Sequence, residues 1–349
     1  MLKVSDTFVA NASLRRVNMR KPYQVIGVGN AMVDVLAEID ESFLIKNQIS
    51  KGVMQLTDRD RGVHLCSLIK PSKEVGGGSA ANTIASIAEA GVKTAYVGKI
   101  KNDKLGKVFA ADMHSLGVDY STPFAPLEHP QDTGRCVVLI TPDGERTMNT
   151  YLGVTEFLSP SDIDSEKMMN CEWIYLEGYR FDGPESHEAF SKAIAACKGD
   201  NGKISLTLSD PFCVQRHKDA FNKVITESVD LLFCNRAEIL ALYMCEDLFD
   251  ALNLSSKEVE TVACTDGENG AYIVHKGELT HVKAKSVKVI DTTGAGDLFA
   301  AGFLWGIVNG YDIKTSGQMG CVAGSNMVTQ FGARPKEGLI RLFESEALI

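Results

Sequence analysis

The chain has 349 residues, 44% hydrophobic and 23% charged, the make-up of a folded globular protein of one large or two ordinary domains rather than of a disordered chain. Its formal net charge of −9 argues against nucleic acid as a partner, because such binders carry a basic footprint, but leaves room for a small anion held by local potential. No apolar run is long enough to cross a membrane, and the nine cysteines show neither C-x-x-C nor paired Cys/His spacing, so they read as free, mostly buried thiols in a reducing compartment.

Residues 1–22 form an N-terminal extension in which Lys3, Arg15, Arg16, Arg20 and Lys21 stand against Asp6 alone. It reads as a basic transit segment or as a frayed extension, with Met19 as an alternative start. The irregular apolar spacing favours a disordered extension ahead of a domain at 23–340. A buried strand at 23–29 ends in glycine, and a second strand is expected at 33–40. A helix follows at 80–90, with Ser79 as N-cap and Gly91 at its C-terminal stop; then come a strand at 93–97 and a helix at 105–116 closed by Gly117. Pro142-Asp-Gly144 is turn chemistry, so 135–141 and 145–151 form a hairpin.

Strands at 173–177, 203–208, 230–234 and 260–264 alternate with helices at 185–197, 215–227 and 236–244. A hairpin near 271–283, a strand at 286–290, a helix at 295–309 and a long helix at 314–330 complete the chain. Such alternation predicts an α/β fold, a mostly parallel sheet with helices on both faces. The hairpins fall outside that rhythm and predict a small β lid, built from about 31–60 and 130–150, over the sheet edge.

The segment from Val289 to Ala300 carries the most chemistry. An apolar stretch enters Asp291-Thr-Thr-Gly294-Ala295-Gly296-Asp297, and Leu298, Ala301, Gly302 and Trp305 then repeat at helical spacing. Small residues at 294–296 free backbone amides at a helix start, which with the helix dipole make an anion site. Asp297 in the first turn either caps the helix or accepts a proton from a hydroxyl attacking that anion, the two needs of phosphoryl transfer being charge stabilisation and an oriented nucleophile.

Gly76-Gly77-Gly78-Ser79-Ala-Ala-Asn82 is a second glycine-rich helix approach without the lysine of a nucleotide P-loop; its neutral donors suit a polyol or nucleoside. Asn30 and Asp34 at the first strand's exit offer groups for vicinal hydroxyls, whereas Gly27-x-Gly29 is an incomplete dinucleotide fingerprint. Asn235 and Glu238 read both as a capping pair and as oxygen donors toward a hydrated Mg²⁺. Thr265-Asp-Gly267-Glu-Asn-Gly270 is a glycine turn able to border a nucleotide.

Together these motifs resemble those of the ribokinase-like (PfkB) carbohydrate and purine kinase family, over about 24–335. Within it the chain is most similar to bacterial adenosine kinases, through Gly144-Glu-Arg-Thr-Met-Asn-Thr-Tyr151-Leu-Gly153 and Leu208-Ser-Asp-Pro-Phe-Cys-Val214. The resemblance implies a three-layer α/β/α sandwich with a β lid, ATP and Mg²⁺ as cofactors, a cytoplasmic location, and a monomer or lid-mediated homodimer. It implies Asp297 as catalytic base; Gly294, Ala295 and Gly296 as anion hole; Asn30, Asp34, Gly77, Gly78, Ser79 and Asn82 for the acceptor; and Asn235, Thr265, Gly267 and Gly270 along ATP. Glu238 would reach Mg²⁺ through water, while Asp291, Thr293 and a carbonyl near Gly332 would form a K⁺ loop. Adenosine is the expected acceptor, with Met148 in the lid suited to a purine; a ribokinase or fructokinase activity and a non-catalytic nucleoside- or sugar-binding regulator are the alternatives.

Overall fold

A computed structural model describes residues 20–349. Fourteen strands occur among them, numbered in chain order: β1 Tyr23–Val28, β2 Met32–Glu38, β3 Met54–Leu56, β4 Lys73–Gly77, β5 Thr94–Val97, β6 Asp119–Tyr120, β7 Gly134–Ile140, β8 Arg146–Tyr151, β9 Cys171–Glu177, β10 Lys203–Thr207, β11 Leu231–Asn235, β12 Thr261–Thr265, β13 Ala271–His275 and β14 Glu278–Val282. Nine of them make the main sheet, in the order β14-β13-β12-β11-β10-β9-β1-β5-β6. Strands β12 to β6 of that order are parallel, and β13 and β14 form an antiparallel edge hairpin.

The inner parallel strands are largely apolar because both faces are covered, whereas the edge strand β14 is mostly exposed. One cluster (Val25, Ile84, Tyr96, Phe233, Leu298, Phe303 and their neighbours) fills one side, and a second (Ile26, Ile174, Phe190, Leu206, Phe221, Val262) fills the other. This is a ribokinase-like three-layer arrangement. A separate five-stranded sheet, β3-β8-β7-β2-β4, forms the lid.

Several local expectations needed correction. The lid includes β4, beyond the expected boundary at 60, and that strand pairs antiparallel with β2. No strand forms at 286–290: Val289 and Ile290 are exposed, and the Ile290 amide simply bonds the Val328 carbonyl at 2.7 Å. The helix at 215–227 is two, Pro211–Arg216 and Lys218–Ser228, broken at His217. Helices Leu248–Ser255 and Leu339–Ser345 were not anticipated. Ser79 is the first residue of helix Ser79–Glu89, whose N-cap is Gly78. The extension's residues 1–19 lie outside the described residues, whereas Lys21 bonds the carbonyls of Met169 and Asp200 just before β1.

No helix among the described residues is long and apolar enough to cross a membrane. All nine cysteines are free, seven of them buried.

Candidate active site

In a doubly wound sheet the ligand-binding edge lies at the carboxyl ends of the parallel strands. Here that edge collects Gly29 and Asn30 after β1, Glu177 at the end of β9, Asn235 at the end of β11 and Thr265 at the end of β12. The helices Ser79–Glu89 and Ala295–Val308 begin beside it, and their first turns are bonded to each other. Ser79 Oγ donates to Asp297 Oδ1 at 2.6 Å, Asn82 Nδ2 donates to Asp297 Oδ2 at 3.0 Å, and Thr83 Oγ1 donates to the Asp297 carbonyl at 3.1 Å.

Asp297 is the third residue of its helix and does not cap it; the N-cap is Gly294, with φ of +77°. A Cβ at Gly294 would stand 2.8 Å from Ala333 Cα, so both backbone shape and crowding require glycine there. Among the described residues, the amides of Gly294, Gly296 and Asp297 have no acceptor. The Ala295 amide instead donates to the Thr292 carbonyl at 3.2 Å, so three of the four amides at 294–297 remain free to face an anion. Space is open in front of Gly296. Burial pushes the Asp297 carboxyl up to about 6, against the bonds from Ser79 and Asn82 and the charge of Arg334.

Gly77 and Gly78 let the lid approach. A Cβ on Gly77 would lie 2.5 Å from Asp34 Oδ1, and one on Gly78 (φ +112°) would overlap the Asn30 carbonyl oxygen. Asp34 stands on β2 of the lid. Burial holds its carboxyl up at about 6, although Arg146 and Arg334 pull it down. No donor among the described residues bonds its carboxylate.

Lid register shows what faces this chemistry. Met32, Asp34 and Leu36 share one face of β2; beside them stand Cys136 and Val138 of β7, and across from those Thr150 and Met148 of β8. The opposite face carries Val137 and Leu139, which pack with Leu44, Ile49 and Leu65 in the lid's own core. Arg146, across from Ile140 on the first face, reaches Asp291 Oδ2 at 2.6 Å, so the aliphatic and methionine-rich face turns toward the two glycine-rich helix starts. At the hairpin tip, a Cβ on Gly144 would lie 2.9 Å from the Phe331 ring. The lid is closed on the C-terminal segment.

Asn30 is buried and fully engaged. Its amide nitrogen and Nδ2 donate to Glu177, its Oδ1 accepts from Arg180 Nη1 at 3.0 Å, and its carbonyl accepts from Tyr96. It braces the site from behind instead of facing an acceptor. Glu177 and Arg180, both about 1% exposed, complete that network and escaped sequence reasoning. Burial lifts Glu177 to about 7, against donors at Ala80 and Asn30.

Asn235 and Glu238 form a capping box: Glu238 accepts from the Asn235 amide at 2.8 Å and from Asn235 Nδ2 at 2.7 Å, and the Glu238 amide donates to Asn235 Oδ1 at 2.9 Å. Burial raises Glu238 to about 7. With both of its oxygens committed, and no cluster of three metal-ligating side chains among the described residues, the donor set fits a hydrated Mg²⁺ carried by a nucleotide, not a protein-caged ion. Thr265, Gly267 (φ +55°) and Gly270 (φ +94°) lie on the neighbouring turn, where Asp266 pairs with Arg236.

Asp291 accepts from the amides of Thr293 at 2.9 Å and Gly332 at 3.0 Å as well as from Arg146. Burial works to raise its pKa, and these donors outweigh it and hold it low. Because Arg146 already neutralises this carboxylate, the expected K⁺ loop at Asp291 and Thr293 does not fit a directly bound cation.

A lidded α/β sheet with a helix-start anion site and an adjacent carboxylate defines a phosphotransferase with an alcohol group as acceptor. A family model described as pfkB family carbohydrate kinase matches residues 67–337. The chain belongs to that family. It is similar to the solved adenosine kinase of Sinorhizobium meliloti, at 38% identity over 93% of this chain and 99% of that one, with a TM-score of 0.85. It is equally similar to a probable sugar kinase of Rhizobium etli CFN 42, at 38% identity over 94% and 100%, with a TM-score of 0.86. The adenosine kinase of Saccharomyces cerevisiae is 28% identical, over 85% of this chain and 92% of its own. The chain is therefore a sugar or nucleoside kinase.

Proposed function

We propose that the protein transfers the γ-phosphoryl group of ATP to the 5′-hydroxyl of a ribonucleoside, adenosine above others. The observation that carries this reading is the lid face over Asp297. Met32, Leu36, Val138 and Met148 offer a broad apolar surface for a purine, with Asp34 alongside to accept from ribose hydroxyls. A bare sugar would leave that surface unmatched. The similarity to the Sinorhizobium adenosine kinase supports the same choice.

The chemistry follows from the positions of the groups. Asp34 and the backbone at Gly77 and Gly78 hold the ribose, while Ser79 and Asn82 hold the Asp297 carboxylate, so that the terminal hydroxyl faces Asp297. Asp297 takes the hydroxyl proton as the new oxygen–phosphorus bond forms and the bond to the β-phosphate bridging oxygen breaks, releasing ADP. The free amides of Gly294, Gly296 and Asp297 stabilise the transferring oxygens. Asn235, Thr265, Gly267 and Gly270 line the ATP side, and Glu238 meets the water shell of Mg²⁺. Bound Mg²⁺ neutralises charge on the phosphates. The closed lid excludes water, which suppresses ATP hydrolysis.

The test is a coupled ADP-release assay on the purified chain with adenosine, inosine, ribose and fructose. The reading expects kcat/KM highest for adenosine. Phosphorylation of a free sugar without response to either nucleoside would overturn it.

A further inference from the structure

Arg334 lies after helix Ile313–Met327 in the run Gly332-Ala-Arg-Pro335, far in sequence from the residues it touches. Its side chain is only 15% exposed. Nε donates to Asn82 Oδ1 at 2.7 Å; Nη2 donates to the Gly76 carbonyl at 3.2 Å and lies 3.4 Å from Asp112 Oδ2. It thus ties together helix Ser79–Glu89, the end of β4 and helix Lys104–Ser115.

One of these bonds decides the orientation of another residue. A guanidinium has no acceptor, so Asn82 must turn its oxygen to Arg334, and its Nδ2 is then the atom that faces Asp297. Asn82 alone could sit either way round; the reversed amide would present an oxygen to the Asp297 carboxylate and repel it. We propose that Arg334 is a positioning residue for phosphoryl transfer, fixing the Asn82 amide so that it donates to Asp297 and aims that carboxylate at the acceptor hydroxyl.

This rests on the reading of Asp297 as base. The guanidinium also supplies charge. Asp297 faces two further buried carboxyls, Asp34 of the lid and Glu177 of β9, and two neutral phenols, Tyr175 and Tyr179; its negative charge holds all four toward their protonated forms. Arg334 is the cation that favours that charge, and it is itself balanced by Asp112 and Glu89. Asp112 has a second role: a Cβ on Gly76 would lie 2.5 Å from its Oδ2, so the glycine lets it dock against Arg334.

The experiment compares wild type, Arg334→Gln, Arg334→Lys and Asp297→Asn, with kcat measured from pH 5 to 9 at saturating ATP and acceptor and folding checked by circular dichroism. Arg334→Gln loses both the fixed amide and the charge. Its kcat falls roughly 10–100-fold near pH 6.5, and its acid limb moves up by about one pH unit, so the deficit narrows at pH 8.5. Arg334→Lys keeps the charge and is still a donor only, but without the planar fork it cannot bond Asn82, the Gly76 carbonyl and Asp112 together, so its hold on the Asn82 amide is lost and kcat falls, while the acid limb stays within a few tenths of a unit (about 0.3) of wild type. KM for ATP stays within about twofold in both, since neither touches the nucleotide edge.

The proposal is overturned if Arg334→Gln loses activity equally at every pH with its limb unmoved, or if either variant keeps wild-type kcat and pH profile. Should Arg334→Gln fail to fold, Arg334→Lys decides alone: unchanged kcat overturns the proposal. Near wild-type turnover by Asp297→Asn sinks the reading of the base, a result separable from failure of the Arg334 variants while Asp297→Asn is inactive.

Discussion

The contact that closes the lid carries a quantitative consequence. Arg146 projects from β8 to Asp291 at 2.6 Å, and the two side chains are 7% and 8% exposed. In Arg146→Met the shape is largely kept but the buried carboxylate loses its cation. Removing one partner of a buried pair costs about 3–5 kcal/mol. Asp291 retains its bonds from the Thr293 and Gly332 amides, which places the cost at the lower end, about 3 kcal/mol. The loss falls on docking of the lid against the C-terminal segment rather than on the main sheet, whose core does not involve either residue. A change of about 3 kcal/mol shifts the docked-to-open balance by roughly 100-fold. Arg146→Met therefore lowers kcat/KM for the acceptor by up to about that factor, raises ADP release without acceptor as water enters, and speeds hydrogen exchange across 134–151. A double-mutant cycle with Asp291→Asn gives strong coupling. Unchanged exchange at 134–151 together with unchanged acceptor-free hydrolysis would refute the reasoning.

Other consequences are shorter to state. With its carboxyl raised to about 6, Asp297 is ionised above that pH and protonated below it, so kcat declines about tenfold per unit as pH falls below about 6, in a pH–rate profile at saturating substrates. Gly78→Ala places a Cβ in the Asn30 carbonyl at φ +112° and costs about 3 kcal/mol in urea unfolding, from steric overlap and backbone strain together; a loss under about 1 kcal/mol contradicts the geometry. Arg180→Met removes the buried charge that opposes Glu177 and leaves the Thr155 and Glu156 carbonyls, Ser186 Oγ and Asn30 Oδ1 without their shared donor. It destabilises the fold by about 3–5 kcal/mol, read as a fall in denaturation midpoint at unchanged m-value.

Much of the fold was legible because local pattern and tertiary role agree. The 142–144 turn closes the β7–β8 hairpin as its residues require, and Gly91 and Gly117 stop their helices at φ of +83°. Where pattern and partner part company, the sequence misleads. Val289 and Ile290 suit a strand, yet β14 already ends the sheet and they find no ladder. Lys73–Gly77 looks like a loop because of its glycines, but those glycines admit Asp34 and Asp112 and so permit the strand. The helix start at Ala295 with a carboxylate in its first turn was legible because its groups are contiguous along the chain. Arg334 was not, because nothing beside it in sequence indicates that it reaches Asn82, 252 residues away. Glu177 and Arg180 were hidden likewise, their partner Asn30 lying about 150 residues earlier. Asn30 itself illustrates the converse: a polar residue at a strand exit suits a ligand, and only the network around it shows that its atoms are spent.

The central claim is that Asp297 takes the proton of the attacking hydroxyl. The direct measurement is kcat for adenosine phosphorylation by Asp297→Asn, alongside adenosine affinity by calorimetry. Asparagine preserves the size of the side chain and an oxygen for one of the two donors at Ser79 and Asn82, but it cannot accept the proton. The account predicts a fall in kcat of about 10²–10⁴-fold or more with adenosine affinity changed less than about fivefold. Turnover within about tenfold of wild type, with the variant folded and binding adenosine, would contradict it.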